Sequence, residues 1–170
     1  MEEGSNILMI SNLISKTDCA KCEFCCTFYR NEIWEAPRFS KEILPEIKKI
    51  CPEAKFKSLT ETTVTQELAD LYKTDDAKEI VLCYFNKNGY ILPDQLKPFE
   101  CKIWPFRIMR KDNKTVMALS TSCPTINMCT DDEIKATIEN LSDNLRKYVR
   151  IYPETIKEYH EGYKIISSLT

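Results

Sequence analysis

The stretch Cys19-Ala20-Lys21-Cys22-Glu23-Phe24-Cys25-Cys26 places four thiols within eight residues, with the spacing C-x-x-C-x-x-C-C. Two intervening residues let a turn direct two sulfurs to one centre, as in zinc and iron–sulfur sites. A hydrophobic core does not need such density, because a buried cysteine packs like any other small apolar side chain. We therefore expect this stretch to bind a metal ion or cluster. The alternatives are a redox or disulfide pair, or coincidence.

Further cysteines lie in downstream segments whose backbone is predicted to be constrained. Cys83 lies in a predicted hairpin strand, Cys101 in a proline-flanked loop predicted to be extended over 97–106, and Cys123 directly before a proline. Proline fixes its own φ and restricts the residue before it. We expect the fold to close several segments over one inorganic centre, or two. The candidate metal ligands are Cys19, Cys22, Cys25, Cys26, Cys83, Cys101 and Cys123.

The adjacent cysteines Cys25 and Cys26 are expected to face different ligand sets. In an extended backbone, neighbouring side chains point to opposite sides, so the two thiols would not bind the same atom. One of them would join Cys19 and Cys22, and the other would face the downstream cysteines.

Length and charge are those of a globular domain. The chain has 170 residues, enough for a substantial core, and we expect one domain over 1–170. With 24 basic and 26 acidic residues, no overall field favours nucleic acid or an anionic membrane. The longest apolar runs, 7–10 and 80–85, are too short to span a bilayer. The expected partners are a metal ion or cluster and a protein partner or protein substrate, not nucleic acid or a membrane.

The cysteines are expected to be reduced, in the cytoplasm. The opening Met1-Glu2-Glu3 lacks the basic and apolar regions of a signal peptide. Nine cysteines, an odd number, argue against a complete disulfide framework.

The one histidine, His160, lies in a charged stretch predicted to be a surface helix, so a metal site must be built mainly from thiolates. This excludes His-rich catalytic zinc sites and the two-His-one-carboxylate iron site.

Two β-hairpins are predicted in the middle of the chain. The β-rich run 79–86, which contains Cys83, precedes the hairpin signal Asn88-Gly89 and a short second arm. A second hairpin is predicted over 106–120, and its second arm leads to Cys123.

Helices are predicted before and after these hairpins. One covers 41–50, with Ser40 as its N-cap. Near the C-terminus, Thr130-Asp131-Asp132-Glu133 matches a capping box, and an apolar residue recurs every three or four positions after it. A second helix is predicted over 154–168, so the chain would end in a helical hairpin, 130–168. The predicted fold class is α+β, with small β-hairpins and loops around a cysteine-ligated metal centre.

The run 19–26 is followed in the sequence by three further elements. They are Cys83, Lys97-Pro98-x-x-Cys101-Lys102-x-Trp104-Pro105-Phe106 and Cys123-Pro124-x-Ile126. This combination, within 17–127, resembles the YkgJ-type, CxxCxxCC cysteine-cluster family. Proteins of that family are described as zinc- or iron-chelating, and related domains occur in flagellin lysine methylases that carry an iron–sulfur cluster. The resemblance implies an iron–sulfur cluster, with [4Fe-4S] favoured, or zinc.

The sequence departs from the family pattern at several positions. Lys97 and Lys102 stand where arginine is usual, and Trp104 stands where tyrosine is usual. Lysine lacks the bidentate fork with which arginine holds a carboxylate or phosphate. A further cysteine usual after Cys83 is missing. Seven thiols match instead of eight, which weighs against two complete four-thiolate sites.

Three functions are compatible with the sequence. The preferred one is a cytoplasmic protein folded around a cysteine-ligated iron–sulfur cluster or zinc or iron ion. The second is a redox or group-transfer enzyme, suggested by the methylase relationship and by an aromatic wall expected from Trp34, Phe99, Trp104 and Phe106. With three glycines in the chain, no glycine-rich nucleotide loop supports it. The third is a structural zinc module for protein–protein interaction.

Overall fold

The structure, a computed structural model, describes residues 13–87 and 91–170. Contacts divide it into two compact units: Thr17–Cys101, here called the cysteine-rich unit, and Lys102–Thr170 with residues 13–16, here called the C-terminal unit. Both helices and sheets are present, which confirms the α+β class. The single domain over 1–170 stays a prediction. No helix within the described ranges is long and apolar enough to cross a bilayer.

Short elements make up the chain as far as residue 103. The described helices there are α1 (Lys16–Cys22), α2 (Leu44–Ile50), α3 (Gln66–Leu71), α4 (Tyr84–Lys87) and α5 (Phe99–Ile103). The described strands are β1 (Thr27–Tyr29), β2 (Phe39–Ser40), β3 (Phe56–Ser58), β4 (Thr62–Thr65) and β5 (Ile80–Leu82). Strand β1 pairs with β5, and a second antiparallel sheet has the order β2-β4-β3.

The helix predicted over 41–50 is confirmed. It begins as a 3-10 turn, Lys41–Ile43, and continues as α2. The Ser40 hydroxyl accepts a hydrogen bond from the Glu42 amide at 3.3 Å, so Ser40 is the N-cap that its residue type indicates.

Aromatic packing forms the core of the cysteine-rich unit. The Phe39 ring meets the Phe56 ring edge-on at 5.5 Å between centroids and the Phe85 ring at 5.4 Å. Phe56 and Phe85 lie 6.1 Å apart. These separations are in the range in which aromatic pairs attract beyond simple burial. The cluster joins β2, β3 and α4, segments that are distant in the sequence.

The first predicted hairpin is wrong in its pairing. Only β5 of the run 79–86 is a strand, and it pairs with β1 rather than with the residues that follow it. After Cys83 the chain turns into α4, because the Glu67 carboxylate accepts a hydrogen bond from the Tyr84 amide at 2.8 Å and satisfies one amide at the helix start. The turn signal Asn88-Gly89 lies outside the described residues.

The second predicted hairpin is confirmed in the C-terminal unit. Strands β6 (Phe106–Lys111) and β7 (Lys114–Ser120) are antiparallel, and the turn residues Asp112 and Asn113 have φ of 50° and 61°. Aspartate and asparagine tolerate this left-handed conformation better than most residues. The hairpin forms the centre of a sheet of order β8-β6-β7-β9, completed by strands described next.

The predicted C-terminal helical hairpin is half right. The capping box begins α6 (Asp131–Ile151), with the Thr130 hydroxyl accepting from the Glu133 amide and the Glu133 carboxylate accepting from the Thr130 amide. The second helix, 154–168, is wrong: strands β8 (Lys157–Glu158) and β9 (Tyr163–Ser168) lie there.

Two features explain this error. Gly162 has a φ of 96°, which ends any regular helix, and β9 hydrogen-bonds to the otherwise open edge of β7. The apolar spacing of 156–166 suited a helix, but pairing with a strand more than forty residues earlier overrides it. His160 is exposed between β8 and β9, not on a helix.

Candidate metal centre

Among the described side chains, Cys25, Cys26, Cys83 and Cys101 line one small cavity in the cysteine-rich unit. Its volume is about 20 Å³, comparable with the space that a single water molecule needs. We call it the cysteine cavity. The rest of its lining is mostly apolar and consists of Phe28, Pro37, Phe39, Phe85, Asn86, Leu92 and Pro98.

Strand pairing brings Cys26 and Cys83 together. In the β1–β5 ladder, Thr27 lies opposite Leu82, so the next position along places Cys26 beside Cys83. The Cys83 amide donates to the Cys26 carbonyl at 2.7 Å and continues the ladder by one residue. Two thiols that are far apart in the sequence are thus fixed by backbone hydrogen bonds rather than by side-chain packing alone.

Cys25 and Cys26 lie on a 3-10 turn, Phe24–Cys26, and not on extended backbone. Glu23, with a φ of 54°, reverses the chain before the turn, and its carbonyl accepts from the Cys26 amide at 3.2 Å. The expectation that the two thiols face opposite sides assumed an extended strand, and it is wrong. Both residues line the cysteine cavity.

Cys101 lies on α5, a short helix where an extended loop was predicted. Pro98 comes just before its first residue, and the Pro98 carbonyl accepts from the Cys101 amide at 3.0 Å. A proline there removes no helical hydrogen bond, because the first amides of a helix have no intrahelical partner. The preceding Lys97 is mostly buried and forms an ion pair with Asp94 at 2.9 Å.

Burial, together with the nearby Cys101 and with smaller contributions from Glu67 and Cys25, raises the pKa of the Cys83 thiol to about 12. The Cys83 thiol is therefore protonated at neutral pH in the metal-free protein. An isolated thiolate is unfavourable here because the apolar lining does not solvate a negative charge.

The remaining candidate ligands lie elsewhere. Cys22 is exposed at the end of α1, and the side chain of Cys19, on the same helix, lies outside the described residues. Cys123 belongs to the C-terminal unit, where it is buried after β7. In that unit, burial raises the pKa of the Cys129 thiol, with further contributions from Glu133 and then from Cys123. Cys51 is buried in the core of the cysteine-rich unit and does not line the cysteine cavity.

The cysteine cavity has the number and kind of thiols that a four-cysteine metal site has. Their spacing differs from that of such a site. Among side chains described within 13–87 and 91–170, no three from His, Cys, Asp and Glu form a group that could hold a metal ion. The cysteines with described side chains form no disulfide. Four thiols of this kind are the donor set of Cys₄ zinc and [4Fe-4S] sites, so the residues present fit either group chemically.

The sequence pattern did not reveal several residues of the cysteine cavity. Its aromatic lining comes from Phe28, Phe39 and Phe85 rather than from Trp34 or Phe99. Of these three, Phe28 belongs to the aromatic-rich run 28–34, which the sequence predicts to be apolar cover for the site, whereas Phe39 and Phe85 were missed. The other two members of the expected aromatic wall belong to the C-terminal unit, where Trp104 stacks with the Arg107 guanidinium and Phe106 is buried.

Asn86 was also missed, although it follows Cys83 by three residues. Such a spacing at the start of a helix places two side chains on the same side. This signal becomes visible only when α4 is known to be a helix.

Comparison with known proteins gives no match: no protein-family model fits the chain, and no curated protein or solved structure is significantly similar to it. The resemblance to the CxxCxxCC family therefore stays a prediction. Any function proposed for this chain therefore depends on the cysteine cavity itself.

Proposed function

We propose that this chain is a cytoplasmic metal-binding protein whose cysteine-rich unit folds around a cysteine-ligated centre. The observation that supports this most is that cysteines from three separate segments line one cavity: Cys25 and Cys26 on a turn, Cys83 after β5 and Cys101 on α5. A reducing compartment would keep these thiols available as ligands. Nothing about ordinary core packing calls for four thiols at one place.

In this proposal Cys25, Cys26, Cys83 and Cys101 hold the centre. Cys19, Cys22 and Cys123 stay predicted ligands. An iron–sulfur cluster would supply one-electron transfer, whereas zinc would supply a rigid cross-link. Phe39, Phe85 and Leu92, all buried in the lining, exclude water from the sulfurs. Because the ligands come from separate segments, the free energy of metal binding would contribute directly to folding.

We favour an iron–sulfur cluster because the chain offers more candidate thiols than one zinc ion needs, and because of the family resemblance. A structural zinc site is the alternative, and the small volume of the cysteine cavity favours it. A single ion needs less rearrangement of a cavity of about 20 Å³ than a four-iron cluster does.

Metal analysis of protein purified without oxygen tests this proposal. We expect either a brown sample with visible absorption and several irons per chain, or a colourless sample with about one zinc per chain. A folded protein that contains neither metal would contradict the proposal. The visible spectrum separates the two forms, because zinc is redox-silent and has no absorption in that range.

A further inference from the structure

Asn86 is an unusual member of the cysteine cavity. Its side chain is 2 % exposed, and neither its Nδ2 nor its Oδ1 has a hydrogen-bond partner among the described residues. Apart from the cysteines, it is the one polar side chain among the described residues of the lining.

Such an arrangement is unfavourable unless something else completes it. On folding, a buried side-chain amide gives up its hydrogen bonds to water. When no protein group replaces them, this loss is not compensated. An apolar residue of similar size would fit the surrounding phenylalanine and leucine side chains without that loss. The presence of an amide at this position therefore requires an explanation.

The backbone holds Asn86 firmly toward the cysteines. The Asn86 amide N–H donates to the Cys83 carbonyl at 3.0 Å, and α4 is anchored at its start by the hydrogen bond between the Tyr84 amide and Glu67. Cys83 and Asn86 consequently lie one helical turn apart, and both line the cavity.

We propose that Asn86 is a positioning residue of the metal centre, whose side-chain NH₂ donates a hydrogen bond to a metal-bound cysteine sulfur. This rests on the proposed function. Four thiolates around one zinc ion or a [4Fe-4S]²⁺ core carry a net negative charge, which the apolar lining does not stabilise. An asparagine amide has two N–H donors, and donors to the ligand sulfurs both orient them and offset that charge.

The test compares Asn86→Leu with the parent chain, each purified without oxygen and with its metal bound. The readout is the half-life of the bound iron or zinc in excess EDTA, followed by elemental analysis of the protein. We expect the half-life to shorten at least about tenfold, because loss of a partner that hydrogen-bonds a ligand typically weakens metal binding by about 10–100-fold. Asn86→Ala, which cannot overfill the cavity, is expected to act in the same direction should the leucine variant fold poorly.

A matched control is available in the same unit. Thr65 is also buried, and its Oγ1 also lacks a hydrogen-bond partner among the described residues, but it does not line the cysteine cavity. Thr65→Val is nearly isosteric and should leave the half-life of the metal unchanged. In the metal-free protein, Asn86→Leu should unfold at the same or a higher urea concentration, since it removes an unpaired amide.

The possible results separate the two proposals. A parent protein without metal contradicts the proposed function. A parent that holds metal, together with an unchanged half-life in Asn86→Leu and Asn86→Ala, overturns the role of Asn86 alone. Equal shortening in Thr65→Val would also overturn it, because the effect would then follow from loss of stability.

Discussion

Cys83→Ala is expected to abolish metal retention. Cys83 is 6 % exposed, lines the cysteine cavity, and is fixed by its backbone hydrogen bond to Cys26. Removing one thiolate from a four-sulfur set leaves an open coordination position that the apolar lining cannot fill. Elemental analysis after anaerobic purification should find less than about one tenth of the parent metal content per chain, because metal binding and folding of such a site are coupled.

Cys51→Ala is the matched control for this substitution. Cys51 is 1 % exposed in the core of the same unit but does not line the cavity. Both variants lose one buried sulfur, so the cost of lost packing is similar in the two. Cys51→Ala should keep its metal. Full metal content in Cys83→Ala, or equal loss in both variants, would show that Cys83 is not a ligand.

Phe39→Ala should produce the largest loss of stability in the cysteine-rich unit. The ring is 1 % exposed, contacts Phe56 and Phe85, and also lines the cysteine cavity. Truncating a buried phenylalanine typically lowers the free energy of unfolding by about 3–5 kcal/mol, through lost burial and the hole that remains. Urea unfolding monitored by circular dichroism measures this difference.

Phe24→Ala makes the same chemical change on the surface. Phe24 is 50 % exposed within the cysteine stretch. Substitution there should change the free energy of unfolding by no more than about 0.5 kcal/mol. Comparable losses in the two variants would mean that the aromatic cluster around Phe39 is not the core of this unit.

The sequence reveals local structure well in this chain. The capping box at Thr130, the hairpin over 106–120 and the N-cap at Ser40 were all predicted correctly. Each depends on hydrogen bonds or backbone preferences within a few residues, which the residue types themselves record.

Long-range pairing could not be predicted in the same way. The apolar run at β5 is compatible with any strand partner, and its actual partner, β1, lies some fifty residues earlier. β9 was predicted to be a helix because its apolar spacing fits one. Pairing with β7 makes this segment a strand instead, and no local feature of the sequence indicates that pairing.

The same difference between local and long-range structure applies to the candidate site. Cysteine spacing selected Cys25 and Cys26 as candidate ligands, and positions in segments predicted to be constrained added Cys83 and Cys101. The structure brings these four to one cavity. The direction in which Cys25 and Cys26 face was misjudged because it depends on a 3-10 turn set by Glu23. Metal binding by these residues is still a prediction.

The most direct test of a cysteine-ligated centre is the X-ray absorption spectrum of the metal in the anaerobically purified protein. Our account predicts neighbours that are sulfur, with four of them at about 2.3 Å if the metal is zinc. An iron–sulfur cluster would add the short iron–iron distances of such a core. A first shell dominated by oxygen or nitrogen, or a folded protein with no metal to measure, would contradict the account.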